Sequence, residues 1–178
     1  MRKTLLASLI QGPLTEAAPR PDEKALEEVS EGLRRAARRS LGRSLAIREV
    51  DTGSCNACEL EIHALSNPFY DIERFGLRFV ASPRHADVLL VTGPVTSNMR
   101  EALERTYRAT PEPKWVVAVG NCACTGGLFT SSYACVGPVS AVLPVDVTVP
   151  GCPPPPIEIL RALLALLVGM ENDTPQNV

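Results

Sequence analysis

Ala86-Asp87-Val88-Leu89-Leu90-Val91-Thr92, halted at once by Gly93-Pro94, decides the fold. Its aliphatic centre is too short for an ordinary helix and ends in a turn pair, so it reads as a strand buried on both faces. Working outward, short apolar runs at 46–50, 77–81, 115–120 and 145–149 read as further strands. Helical spacing predicts helices at 59–66, stopping near Pro68, at 98–108, and at 156–169 with Pro156 at its start and Gly169 near its end. This alternation specifies an α/β fold with a mainly parallel sheet and helices on both faces. In such sheets ligands sit beyond the carboxyl ends of the strands.

Upstream, Leu26, Val29, Leu33, Ala37, Leu41 and Leu45 recur at helical spacing behind Asp22, a helix-capping residue type. Acids come early (Glu23, Glu27, Glu28) and arginines late (Arg34, Arg35, Arg38, Arg39, Arg43), as the helix dipole favours. The expectation is an amphipathic helix over 22–45 with a basic second half, suited to solvent, an anionic lipid surface or an acidic partner. Residues 11–22 are rich in proline and polar residues and read as a tether. The domain reading is therefore 1–45 tether and helix, 46–170 α/β domain, and 171–178 tail.

A chain of 178 residues has room for one core-forming domain and a modest extension. The longest apolar stretch, 157–168, contains Glu158 and Arg161 and falls short of the roughly 20 residues a membrane span needs. Met1-Arg2-Lys3-Thr4-Leu5-Leu6-Ala7-Ser8-Leu9-Ile10 has the basic start of a secretory signal but no small-residue cleavage site after it, so the chain reads as cytoplasmic. A net charge of −2 argues against a general nucleic-acid binder, and 4% aromatic residues deny it the stacking platforms of single-strand binders.

Six cysteines in a reducing compartment point to ligands rather than disulfides. Cys55 and Cys58 in Gly53-Ser54-Cys55-Asn56-Ala57-Cys58, Cys122 in Gly120-Asn121-Cys122 and Cys152 in Pro150-Gly151-Cys152-Pro153 each follow an expected strand. They are thus placed to meet at one sheet edge. Thiolate ligands select zinc, copper(I) or iron–sulfur. The third and fourth cysteines stand alone, 64 and 30 residues further on, where structural zinc favours two compact pairs; an iron–sulfur cluster is the better reading. Cys124 is the alternative to Cys122, though the Gly-x-Cys placement favours Cys122. Cys135 reads as a small buried apolar residue. Glu59 and Glu61 fit helix-start acids and proton-handling groups equally well. His63 and His85 read as structural or surface residues.

Tyr70-Asp71-Ile72-Glu73-Arg74-Phe75-Gly76, Ala81-Ser82-Pro83-Arg84-His85-Ala86-Asp87, Val91-Thr92-Gly93-Pro94-Val95-Thr96, Pro111-Glu112-Pro113-Lys114-Trp115, Pro144-Val145-Asp146 and Pro150-Gly151-Cys152-Pro153-Pro154 add a resemblance. In order and spacing they resemble the 20 kDa subunit family of respiratory complex I and the small subunits of membrane-bound NiFe hydrogenases, over about residues 28–169. The resemblance implies a flavodoxin-like fold and one 4Fe-4S cluster on Cys55, Cys58, Cys122 and Cys152, with no role for Cys124 or Cys135. The complex I subunit carries two adjacent cysteines at the first site; the spaced pair here is typical of the energy-converting hydrogenase branch, including formate hydrogenlyase. The implied function is a non-catalytic electron-transfer subunit of an oxidoreductase complex, passing electrons to or from a large subunit's active site. The implied partners are that large subunit, a ferredoxin-like iron–sulfur subunit and membrane-arm subunits, on the cytoplasmic face of the inner membrane. Alternatives are a complex I-like subunit serving a quinone or other acceptor without nickel, and a zinc-stabilised interaction module.

Overall fold

The computed structural model describes residues 23–173. The signal-like start, the tether, the Asp22 cap and the last residues of the expected tail lie outside the described residues. The first element is helix α1 (Glu23–Leu41), followed by β1 (Leu45–Asp51), α2 (Ala57–Ala64), β2 (Leu77–Phe79), β3 (Val88–Thr92) and β4 (Val95–Thr96). Then come α3 (Ser97–Ala109), β5 (Trp115–Val119), α4 (Asn121–Thr125), β6 (Cys135–Gly137), β7 (Val147–Val149) and α5 (Pro156–Asp173).

Five strands form one parallel sheet in the order β2-β1-β3-β5-β7. Counted within the sheet this is the flavodoxin-like order 2-1-3-4-5, whose direction of travel reverses between β1 and β3. The central run is apolar throughout because both faces are covered: Val88 and Leu90 join Ile47, Val117 and Val119 in one core, while Leu89 and Val91 join Val50, Val116 and Ala118 in the other. Helices α1, α2 and α5 supply the first core with Leu33, Ile62, Leu160 and Leu163; α3 and α4 supply the second with Leu103 and Ala123. Each fully buried large aliphatic side chain of this kind contributes about 1.5–3 kcal/mol.

Helix α1 lies against α5, and Gly32 sets their approach, since a Cβ there would stand 3.0 Å from Leu164 Cδ2. The helix ends earlier than its apolar spacing implied, at Leu41, because Gly42 takes a φ of +62° and Leu45 already belongs to β1. Arg43, expected on the basic helix face, turns instead onto buried Asp87, its guanidinium 2.9 and 2.6 Å from the two carboxylate oxygens. Asp87 also accepts the Ala46 amide at 2.9 Å, so one carboxylate ties the start of β1 to the start of β3.

Candidate metal centre

The strand register puts Asp51, Thr92, Val119 and Val149 in one row across the sheet. The chain therefore leaves four neighbouring strands at one level, and every cysteine-bearing loop of the expected site starts from it. Two sets of bonds lock these loops together. Thr52 Oγ1 donates to the Thr92 carbonyl at 2.7 Å, while Thr96 Oγ1 donates to the Thr52 carbonyl at 2.9 Å, stitching the β1 loop to the β3 loop. Asp51 Oδ1 accepts from the Gly53 and Ser54 amides at 2.7 and 2.8 Å and bends the chain toward Cys55. On the other side, the Asn121 amide donates to the Gly151 carbonyl at 2.7 Å, and Asn121 Oδ1 accepts from the Gly151 amide at 2.9 Å. That reciprocal pair clamps the Cys122 helix to the Cys152 loop.

Cys55, Cys58, Cys122 and Cys152 line one small cavity, walled also by Gly93, Pro94, Phe129 and Pro153. Gly120 is the position that lets the walls close. Its φ is +90°, and a Cβ there would lie 2.5 Å from Cys58 Sγ. Gly93, at φ +73°, similarly passes within contact of the Ser54 backbone.

Burial raises the Cys58 thiol to about 12, with the negative charge of Glu59 and then Cys55, Cys122 and Cys152 adding to it. Cys122 is raised too, by burial first and then by Cys152 and Cys55. Four thiolates this close repel one another, so their ionised form needs a positive group among them; metal binding supplies such charge and drives the protons off. No group of three or more His, Cys, Asp or Glu side chains among the described residues is arranged to hold a metal ion. Cys55, Cys58, Cys122 and Cys152 share one lining, and their all-sulfur donor set beside a glycine wall fits a thiolate-bound metal centre.

Cys124 points elsewhere. Its thiol donates to the Ala118 carbonyl at 3.5 Å and its side chain packs on the second core. Cys135 pairs with Thr96 across the two-stranded β4–β6 sheet and does not line the cavity. Glu59, one residue beyond Cys58, is buried, and neither carboxylate oxygen has a hydrogen-bond partner. Glu61 is half-buried and away from the cavity wall. His63 Nε2 lies 3.9 Å from Glu49 Oε2, and His85 is exposed in a short 3-10 turn. Sequence reasoning passed over Thr52, Thr96 and Asn121, the residues that join the loops. Asn121 carried a signal in its place beside Cys122 after a strand-ending glycine; the threonines carried none.

The family described as NADH ubiquinone oxidoreductase, 20 Kd subunit, matches residues 55–166. A probable membrane-bound hydrogenase subunit mbhJ of Pyrococcus furiosus is 49% identical over 127 residues, 71% of this chain and 76% of that protein. Formate hydrogenlyase subunit 7 of Escherichia coli is 41% identical over 150 residues, 84% of this chain and 58% of its own length. An NADH-quinone oxidoreductase subunit of Heliobacterium modesticaldum is 47% identical over 116 residues, 65% of this chain and 66% of its own. Among solved structures, a chain of an archaeal membrane-bound sulfane sulfur reductase complex superposes with a TM-score of 0.66 at 34% identity, covering 80% of this chain and 77% of that one.

Proposed function

This chain belongs to the NADH ubiquinone oxidoreductase 20 Kd subunit family, and from that membership we propose that it is the electron-transfer small subunit of a membrane-associated, energy-converting NiFe-hydrogenase-like complex. Cys55, Cys58, Cys122 and Cys152 hold one 4Fe-4S cluster. The observation that carries this reading is the convergence of those four side chains, from three loops of one sheet rim, on a single cavity. When bound, such a cluster exchanges single electrons at a potential within roughly −700 to +450 mV, set in part by burial and hydrogen bonding.

The chain's own residues do the rest. The Asn121–Gly151 clamp and the Thr52–Thr96 stitch hold the four thiols in register. Phe129 and Pro153 form part of the cavity wall, and buried Glu59 places an acid beside Cys58. No residue here is assigned bond-making chemistry, which belongs to a large partner subunit. Exposed Leu128 and Tyr133, on the segment that follows the Cys122 helix, support a protein partner at this end of the molecule. A ferredoxin-like subunit on the same relay and membrane-arm subunits complete the assembly, with Arg34, Arg35, Arg38 and Arg39 of α1 facing the membrane arm from the cytoplasmic side. No helix among the described residues is long and apolar enough to cross a membrane.

A complex I-like role, passing electrons to a quinone or another acceptor, is the second reading, favoured by the 47% identity to an NADH-quinone oxidoreductase subunit. The spaced Cys55–Cys58 pair supports the hydrogenase branch. Metal analysis of the intact assembly separates the two: nickel with iron is expected, and iron without nickel, beside a large partner lacking two paired-cysteine motifs, overturns the hydrogenase assignment. A zinc-stabilised module would show one zinc and no sulfide.

A further inference from the structure

The clamp that joins the Cys122 helix to the Cys152 loop uses half of a side chain. Asn121 Oδ1 accepts the Gly151 amide at 2.9 Å, while the Asn121 backbone amide donates to the Gly151 carbonyl at 2.7 Å. An oxygen has to face the Gly151 N–H, so the carboxamide has one orientation, with Nδ2 and its two N–H groups turned away from Gly151. Nδ2 makes no hydrogen bond among the described residues. The partner loop is itself held tightly, since a Cβ on Gly151 would lie 2.5 Å from Pro154 Cα. The plane of this amide is therefore fixed from both sides.

Asn121 precedes Cys122 in the chain and is bonded to the residue that precedes Cys152, and it lines the cavity together with all four thiols of the expected site. Apart from the cysteines, Ser54 and Asn121 are the lining side chains that carry an O–H or N–H. Ser54 Oγ accepts the Asn56 amide at 3.1 Å and its hydroxyl proton still rotates, so Asn121 is the donor whose direction the fold sets. A clamp alone needs only an acceptor, which a carboxylate would also supply; the carboxamide adds donors and brings no negative charge to a rim of thiolates. We infer that Asn121 Nδ2 donates a hydrogen bond to a sulfur on the Cys122–Cys152 side of the cluster and raises its midpoint potential. The inference rests on the cluster assignment proposed above and names a residue that sets the potential of the relay. An N–H aimed at sulfur interacts more strongly with the electron-rich reduced state than with the oxidised one, which makes reduction easier. Asn121 is exposed, at the open side of the cavity, where a covering partner would strengthen the bond by excluding water.

The test is an EPR-monitored redox titration of the anaerobically purified full chain and three variants. Asn121→Ala removes donor and acceptor without changing charge. Asn121→Asp keeps an acceptor for Gly151, removes the donor and adds a negative charge. Asn56→Asp adds the same charge beside Cys55, from a side chain that makes no capping bond and does not line the cavity. At a fixed ambient potential the reduced-to-oxidised ratio is expected to fall about tenfold in Asn121→Ala, equivalent to about 59 mV for one electron, and about tenfold further in Asn121→Asp than in Asn56→Asp. Amide exchange at Gly151 should stay slow in Asn121→Asp and quicken in Asn121→Ala, which separates a lost donor from a loosened loop. Pulsed EPR of the reduced parent, isotopically labelled at the asparagine side-chain nitrogens, should show a labelled nitrogen coupled to the cluster, and the coupling should persist in Asn56→Asp. Equal shifts in the two aspartate variants, an Asn121→Ala ratio within about twofold of the parent, or no side-chain nitrogen coupling would each overturn the proposal. Iron and sulfide are counted on every sample. Their absence from the parent overturns the cluster assignment and this inference with it, whereas a filled parent and filled variants with unmoved potentials overturn this inference alone.

Discussion

Replacing Gly120 by alanine tests the close wall of the metal centre. Two costs add at this position. Its backbone, at φ +90° and ψ 156°, lies in a region that essentially only glycine occupies, and a side chain there costs about 1–3 kcal/mol. The new Cβ would also lie 2.5 Å from Cys58 Sγ, roughly 1 Å inside normal contact, so the thiol must move by about that much. Ligand distances tolerate only about 0.2 Å. Gly120→Ala should therefore lose most of its iron while the fold survives. Gly42→Ala is the matched control: its φ is +62°, and a Cβ there meets nothing within 4 Å. It carries only the left-handed backbone cost of about 1–2 kcal/mol, a fall in Tm of about 2–8 °C, and should keep its iron. Iron and sulfide analysis beside thermal melts reads both. Full iron in Gly120→Ala, or equal loss in the two variants, would refute the placement of Cys58 against this wall.

Arg43→Gln should cost about 1–2 kcal/mol in urea denaturation, because buried Asp87 loses a two-point ion pair while Arg43, half exposed, had only part of its charge to contribute; no change would show that the pair is not formed. Asn121→Ala should cost about 0.5–1.5 kcal/mol and speed amide exchange at Gly151, and unchanged exchange there would contradict the clamp. Burial, opposed by His63 and reinforced by Glu59, holds the Glu49 carboxyl above its ordinary range. The folded state thus favours protonated Glu49, and its contribution to stability is present in acid and lost as pH rises through the raised pKa. Glu49→Gln should accordingly gain stability relative to the parent chain as pH rises toward neutrality; a difference independent of pH would dismiss the effect.

The sheet was legible because its strands bury both faces. A run such as Val88-Leu89-Leu90-Val91 has no polar side to confuse it with a surface helix, and Gly93-Pro94 marks its end. The cysteine rim followed from the same pattern, since the first cysteine of each loop sits three or four residues beyond a strand end. What stayed hidden is short or cooperative. β4 has two residues and α4 five, too few for any periodicity, and β4 exists only because β6 returns to pair with it. The basic helix overran its true end because Leu45 continues the apolar spacing of α1 while serving β1. Cys124 was told from Cys122 by a thinner signal, the Gly-x-Cys placement at a strand end; in the fold one short helix turns it to the other side of the chain.

The assignment of four thiols to one cluster is tested most directly by iron and acid-labile sulfide in the anaerobically purified chain, compared with its single cysteine-to-serine variants. Substitution of Cys55, Cys58, Cys122 or Cys152 should abolish or sharply reduce both, while Cys124→Ser and Cys135→Ser should keep the parent's content, with iron and sulfide in equal amounts. A parent chain holding one zinc and no sulfide, or a Cys152→Ser variant with undiminished iron, would contradict it.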